Sequence, residues 1–324
     1  MRGYGVALPE DRLDNLRLGL ELGVDPESIE QRTGILERRI ARDDESASTL
    51  GALAATAALS RAHVDPLDID LVLLSTYTPD RLLCPTGPEL AYRIGAIRAG
   101  AFDLNGACSG GVAAILTAAS LVNSGAFRNI LVVTADLTTR YVRIDDPKTR
   151  LIFGDGAAAV IVSSASGATD WSVLASSCGA DGSGAEFFAV ESSPLQQGIN
   201  GWTSHDVPAV KMNGRAIFRF GVEQGGQVIR ELMGRAGLTP DQVSWVIPHQ
   251  ANLRIIQALI DRSGIDAERW VVNIQSYGNT ASASVPIALA ELLGSGRAKP
   301  GDIVLLVAFG AGLTWSGLAL QVGG

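Results

Sequence analysis

The stretch from Ala101 to Leu121, AFDLNGACSGGVAAILTAASL, sets one cysteine, Cys108, among residues with almost no side chain. AFDL reads as the end of a buried strand, and GGVAAILTAASL as an alanine-rich, apolar helix. A thiol delivered to the start of a helix admits two readings. Free cysteine is among the most buried residue types, so Cys108 can be a small core residue in a tight turn. Alternatively it is a nucleophile, because the unpaired N–H groups and positive dipole end of a helix start favour a thiolate and a developing oxyanion.

On either side of this stretch the chain alternates strands and helices. IDLVLLSTYT and RNILVVTADL are apolar and β-branched without period-two alternation, as strands buried on both faces should be. STLGALAATAALSRA precedes them as a helix, and FGDGAAAVIVSSAS follows as a turn and a further buried strand. Such alternation predicts a parallel or mixed sheet covered by helices. The second half repeats the order. NTASASVPIALAELLGSGRAKPGDIVLLVAFGAG mirrors GACSGGVAAILTAASLVNSGAFRNILVVTADL, which predicts one duplicated α/β unit with a seam near Ser163–Asp170. The two halves are then 1–167, with the cysteine, and 168–324. Between Cys178 and Val210 no periodicity is visible, and long irregular loops are often functional.

In such sheets, reactive groups gather where strands end and loops open. His249 ends the strand SWVIPH, and histidine suits proton transfer near neutral pH. Its place at a strand end, matching that of Cys108 in the other half, favours function over a structural role. Asn279 in SYGNTASASVPIAL reads alone as a turn or cap residue, yet it is a third polar group at a comparable loop. The glycines of LVAFGAGLTWSG can bring backbone N–H groups up to a reacting carbonyl. Asp155 reads as turn chemistry in Gly-Asp-Gly, His63 and His205 as loop residues, and Cys178 as quiet packing.

Composition excludes several classes. The chain has 324 residues, 47% of them hydrophobic, with a formal charge of −8, which gives a nucleic-acid partner no general electrostatic support. No apolar run is long enough for a membrane span, and the first residues lack a signal-peptide core. Three widely spaced cysteines form neither a disulfide framework nor a metal pattern, so no metal and a reducing, cytoplasmic setting are expected.

The strings DLNGACSGG, FGDGAAAVIV, PHQANLRII, YGNTASASVPIAL and AFGAGLTWSGLAL resemble those of the β-ketoacyl-acyl carrier protein synthase III family, as does RTGILERRIA near the N-terminus. The resemblance implies a thiolase-like α/β fold of five layers, α-β-α-β-α, with mixed sheets. It implies that Cys108 carries an acyl group as a thioester. His249 and Asn279 would hydrogen-bond the carbonyl of a malonyl-type thioester during decarboxylative Claisen condensation. Backbone N–H groups of Cys108 and Ala311 would form the other oxyanion hole, and Phe309 would shield the decarboxylation pocket. No tightly bound cofactor is implied. The substrates are acyl-carrier-protein or coenzyme A thioesters, in fatty-acid or polyketide biosynthesis, and the assembly is a homodimer.

Departures from the family pattern bear on the substrate. Ser28 replaces a tryptophan four residues before the retained Arg32, and the segment from Arg150 to Phe153 is short; both belong to the family's adenine site. Losing an aromatic stacking partner predicts a carrier-bound donor, or an unusual coenzyme A pose. Gly111 replaces an aromatic residue after the nucleophile, and Cys84 a phenylalanine that crosses the dimer interface, which predicts a larger acyl tunnel. Ala311 stands where glycine is usual, a cost of about 1 kcal/mol if that position needs positive φ. Together these predict a specialised, secondary-pathway member. Arg254 and Arg219 are the expected carrier-protein docking residues. The alternative activity is acyl transfer to a hydroxyl or amine without condensation. A cysteine hydrolase and a non-catalytic partner subunit are the remaining readings.

Overall fold

The apolar runs become the central strands of two sheets in the computed structural model, which describes residues 1–164, 171–191 and 209–323. The first half supplies β1 (Gly3–Ala7), β2 (Arg12–Asp14), β3 (Glu37–Arg39), β4 (Leu71–Ser75), β5 (Gly100–Leu104), β6 (Asn129–Leu137) and β7 (Asp155–Ser163). The second supplies β8 (Ser172–Ala180), β9 (Phe188–Glu191), β10 (Ala209–Met212), β11 (Trp245–Pro248), β12 (Ile303–Gly310) and β13 (Thr314–Gln321). The first large sheet runs β1-β7-β6-β4-β5 and the second β11-β12-β13-β8. Both are mixed. β4 is parallel to β5 and β6, and β11 is parallel to β12, while the other pairings are antiparallel. A lone parallel bridge from Val246 to Trp270 stands beside β11 where the first sheet has β5. β2 pairs with β3, and β9 with β10, as small separate ribbons.

Besides the single turn Ile274–Tyr277, the helices are α1 (Asn15–Leu22), α2 (Pro26–Thr33), α3 (Ala47–Ala62), α4 (Thr86–Arg93), α5 (Gly110–Asn123), α6 (Gly214–Ala236), α7 (Leu253–Ser263) and α8 (Ser284–Gly294) among the described residues. Their composition sorts them into layers. α5 and α8 carry no charge in their middles and lie between the sheets, where Val112, Ile115, Val285 and Leu289 pack with Val132 and Leu306 in one core. α3 covers the outer face of the first sheet, and α6 with α7 the outer face of the second. The result is five layers, α-β-α-β-α, as the family resemblance implies. The chain crosses from one half to the other between Ser163 and Ser172, and the proposed boundary at residue 167 lies outside the described residues.

Two details differ from the sequence reading. AFDL is not a buried strand: β5 is the outer strand of its sheet, paired only with β4, and Phe102 is 44% exposed. The irregular stretch from Cys178 begins inside β8 and continues through a short 3-10 helix (Gly182–Phe187) into β9. Residues 192–208, His205 among them, lie outside the described residues.

The duplication also pairs the two turns that matter. Ala107–Ser109 and Ala281–Ala283 are both single 3-10 turns at the start of a central helix. Each opens on an alanine at positive φ, 46° at Ala107 and 51° at Ala281. In each, an asparagine two residues upstream accepts the alanine N–H, Asn105 at 3.1 Å and Asn279 at 2.9 Å. Cys108 is therefore the counterpart of Ser282, whereas His249, just beyond β11, corresponds to Thr76, just beyond β4. Gly111 lets these two turns meet: a Cβ there would lie 2.2 Å from the Ser282 carbonyl oxygen.

Candidate active site

Cys108 sits in the turn after β5, 2% exposed, at the junction of two cavities. The narrower one, about 140 Å³, is lined by Cys108, His249, Asn279, Phe309, Phe218 and Met212 among others. The wider, about 430 Å³, is bounded by Cys108, Tyr77, Ala107, Val190, Ala311 and Thr314 among others. Gly310 presses on the Cys108 turn so closely that a Cβ would lie 2.8 Å from Cys108 Cβ. A glycine is the residue that allows that approach.

Burial pushes the Cys108 thiol up to about 12, helped by the negative charge of nearby Asp136. The backbone N–H groups of Cys108 and Ala311 act on the sulfur in the opposite direction. The same two donors suit an oxygen that becomes negative beside it. Ala311 carries no positive φ, which falls instead at Gly312 (129°), so alanine is accommodated without strain.

His249 is fixed from three sides. Its backbone N–H donates to the Val307 carbonyl at 2.7 Å, its ring meets Phe309 edge-on at 5.4 Å, and Nδ1 lies 2.7 Å from Ser284 Oγ. Burial pulls its pKa down to about 3, so the imidazole is neutral near pH 7. Asn279 is held by backbone bonds to Ile152 and Gly154 and by its Oδ1, which accepts the Ala281 N–H. That contact leaves the Nδ2 end for the cavity. Two neutral side chains thus face one cavity with Cys108, and none brings a negative charge to it.

The remaining expectations divide. Phe309 lines the narrow cavity. Gly111 lines neither cavity; its missing side chain makes room for Ser282 and Pro286 rather than for a substrate. Cys84 lines neither cavity and is exposed, at φ 80°, between the exposed Leu83 and the start of α4. Ser28 is half-buried and Arg32 exposed on α2. The Arg32 carbonyl accepts from Asn252 Nδ2 at 3.1 Å, which ties α2 to the rim of the narrow cavity. Arg150 belongs to a separate cavity of about 420 Å³ beside α1 and is ion-paired with Glu21. Arg254 and Arg219 are exposed, and Arg254 Nε donates to the Gln31 carbonyl at 3.1 Å.

Two readings are corrected. Asp155 is no exposed turn residue: it is fully buried and accepts from Ala41 N at 2.8 Å and Thr139 N at 3.0 Å, with its pKa raised to about 6 by burial. Cys178 is exposed on β8 rather than packed. Sequence reasoning also passed over Asp136, fully buried, which accepts from Ser282 N at 3.0 Å and Tyr77 N at 2.9 Å and is raised to about 6 by burial. An acid inside the apolar run NILVVTADL was the available signal. Among the described residues no group of His, Cys, Asp and Glu could hold a metal ion, and no helix is long and apolar enough to cross a membrane.

Comparison with known proteins matches two family models, 3-oxoacyl-[acyl-carrier-protein] synthase III over residues 102–182 and its C-terminal part over residues 233–322. A β-ketoacyl-[acyl-carrier-protein] synthase III of Roseiflexus sp. (strain RS-1) is 42% identical, covering 99% of this chain and 97% of its own. One from Microcystis aeruginosa is also 42% identical, over 99% and 96%. The crystal structure of 3-oxoacyl-[acyl-carrier-protein] synthase III from Aquifex aeolicus VF5 superposes with a TM-score of 0.92 at 38% identity, covering 99% and 98%. The priming β-ketosynthase of the R1128 polyketide pathway does so with a TM-score of 0.92 at 37% identity, covering 99% and 95%.

Proposed function

From the premise that this chain belongs to the β-ketoacyl-acyl carrier protein synthase III family, we propose that Cys108 is its nucleophile and that His249 and Asn279 are the paired donors at the condensing thioester. The activity itself is acyl transfer followed by decarboxylative condensation with a malonyl thioester. The observation that carries the residue assignment is the cavity shared by Cys108, His249 and Asn279.

The two half-reactions suit the site in different ways. In acylation, Cys108 replaces the donor's thiol, and the proton lost by one sulfur is gained by the other. The thiolate is the attacking form, so burial opposes this step and the backbone N–H groups of Cys108 and Ala311, which lower the thiol pKa, favour it. In condensation, the malonyl carboxylate leaves as carbon dioxide, and its bonding pair passes into an enolate. Neutral His249 and Asn279 donate to that enolate oxygen, where a carboxylate would repel it. The enolate carbon then attacks the acyl-Cys108 carbonyl, whose oxyanion meets the N–H groups of Cys108 and Ala311. Collapse expels the Cys108 sulfur and releases the β-ketoacyl product. Transfer to a hydroxyl or amine is the lesser reading, because it leaves the paired donors without an enolate to stabilise. Carbon dioxide release from malonyl-carrier protein, lost in His249→Ala and Asn279→Ala, tests these assignments.

The donor is proposed to be carrier-bound. Ser28 offers no aromatic face for adenine, and Arg150 is already engaged by Glu21. Intact-mass kinetics should show acyl-carrier protein loading Cys108 at least about fivefold faster than the matching acyl-CoA, the loss expected for about 1–3 kcal/mol of missing stacking. Equal rates would overturn it. Arg254 is proposed to meet the acidic carrier. Arg254→Glu should raise the KM for carrier-bound substrate several-fold while leaving a small N-acetylcysteamine thioester unaffected, and an unchanged KM would remove the claim. A cytoplasmic setting and the absence of a resident cofactor are part of the same proposal.

A further inference from the structure

The His249 ring has two nitrogens with different surroundings. Nδ1 lies 2.7 Å from the Ser284 hydroxyl, and both residues are almost fully buried. Nε2 is left for the narrow cavity that His249 lines with Cys108 and Asn279. A neutral imidazole carries one proton, and the partner of one nitrogen decides whether the other holds it. Donating to an enolate requires that proton on Nε2, so Nδ1 has to accept.

A hydroxyl can donate or accept, so the surroundings of Ser284 decide. The backbone N–H of Gln250 points at the same Oγ, at 3.5 Å. That N–H can only donate, and among the described residues Nδ1 is the one acceptor in contact with the hydroxyl, so its single hydrogen goes to Nδ1. The Gln250 N–H cannot swing away, because its side chain is clamped at both ends. Nε2 donates to the Pro248 carbonyl at 2.7 Å and the Val271 carbonyl at 3.2 Å, while Oε1 accepts from Asn273 N at 3.1 Å and Ile274 N at 3.2 Å. Ser284 is itself anchored as the first residue of α8, packed between the sheets. We infer that Ser284 is a positioning residue that fixes the His249 proton on Nε2, turning a neutral imidazole into a hydrogen-bond donor toward the thioester carbonyl. The Ala281 N–H does the equivalent for Asn279 by taking its Oδ1, so both donors are oriented by fixed neighbours before substrate arrives.

The inference rests on the reading of His249 as a donor, and the experiment separates the two. In protein labelled with [15N]histidine, long-range 15N–1H spectra should show His249 protonated on Nε2, assigned by the signal lost in His249→Gln. A wild-type Nδ1–H pattern overturns the inference whether or not any variant folds. Ser284→Ala should shift the pattern toward Nδ1–H. It should also lower kcat for malonyl-carrier-protein decarboxylation by about 10–100-fold with KM little changed. Acylation of Cys108 by a short-chain N-acetylcysteamine thioester should stay within about twofold, whereas a merely structural role would slow both. Ser284→Thr, which keeps the hydroxyl, should restore decarboxylation. If Ser284→Ala decarboxylates normally while His249→Ala does not, the role of Ser284 falls alone. If His249→Ala also decarboxylates normally, the donor reading falls with it.

Discussion

At the scale of single residues, the site combines a thiol, an imidazole and an amide that are all uncharged near pH 7. Charge appears only during the reaction. The exception beside it is Asp136, whose carboxylate raises the Cys108 pKa and whose own pKa burial raises from 3.8 to about 6. The folded protein therefore holds more protons than the unfolded chain between those values. The contribution of Asp136 is largest below pH 3.8 and is lost as pH rises through 6. Asp136→Asn should abolish that loss, so stability relative to wild type should rise between about pH 4 and 7, by on the order of 2 kcal/mol. The same variant should lower the thiol pKa and speed iodoacetamide alkylation of Cys108 at a fixed pH, followed by peptide mapping. Parallel stability curves for the two proteins over that range would contradict the linkage. That Cys108, His249 and Asn279 meet at one cavity was legible in the sequence, because each stands at a strand end or helix start in a duplicated pattern. Asp136 and Ser284 were not. A serine near a helix start has many ordinary uses, and only the fold brings it to the imidazole 35 residues away.

At the scale of elements, the central helices decide how the two halves meet. α5 and α8 begin at matching turns, and contact between the turns needs a residue without a side chain at position 111. Gly111→Ala would drive a Cβ into the Ser282 carbonyl, a backbone atom that cannot rotate away. It should cost about 1–3 kcal/mol and disturb the Cys108 turn. Gly234 in α6 is the control, because a Cβ there meets nothing within 4 Å. Gly234→Ala should stabilise by about 0.5–1 kcal/mol, since alanine is the better helix former. Thermal unfolding that moved both variants in the same direction would refute this account. The expectation that Gly111 enlarges an acyl tunnel failed for a physical reason. Sequence shows that space is needed at a glycine but not which neighbour fills it, and here a backbone carbonyl does. Strand order was hidden similarly: AFDL is apolar enough for an interior strand, yet topology places it on the edge.

At the scale of the whole molecule, that edge is the feature the single chain leaves unfinished. β5 has a partner on one side only, and an outer strand with apolar side chains is a template for pairing. Asp103 on β5 accepts the N–H groups of Thr86 at 2.8 Å and Gly87 at 2.6 Å, which fastens the start of α4 beside the strand. Immediately before α4 lie Leu82 and Leu83, 90% and 89% exposed, and Tyr92 on α4 is 77% exposed. Large exposed apolar residues gathered on one flank mark an interface. The same flank borders the wider cavity, whose residues Tyr77, Asn105 and Ala107 follow the ends of β4 and β5. A second copy seated there would cover Leu82, Leu83 and Cys84 and bring its own chain toward the acyl side of Cys108. We propose that two copies pair through β5, with Cys84 at that contact rather than within its own chain's cavities. Sedimentation velocity should find the wild-type protein dimeric at micromolar concentration. Phe102→Lys and Leu83→Lys should each shift it toward monomer while leaving the fold intact, because Leu83 is 89% and Phe102 44% exposed in the single chain. A wild-type monomer, or a dimer indifferent to both substitutions, would place the interface elsewhere and leave Cys84 an ordinary surface thiol.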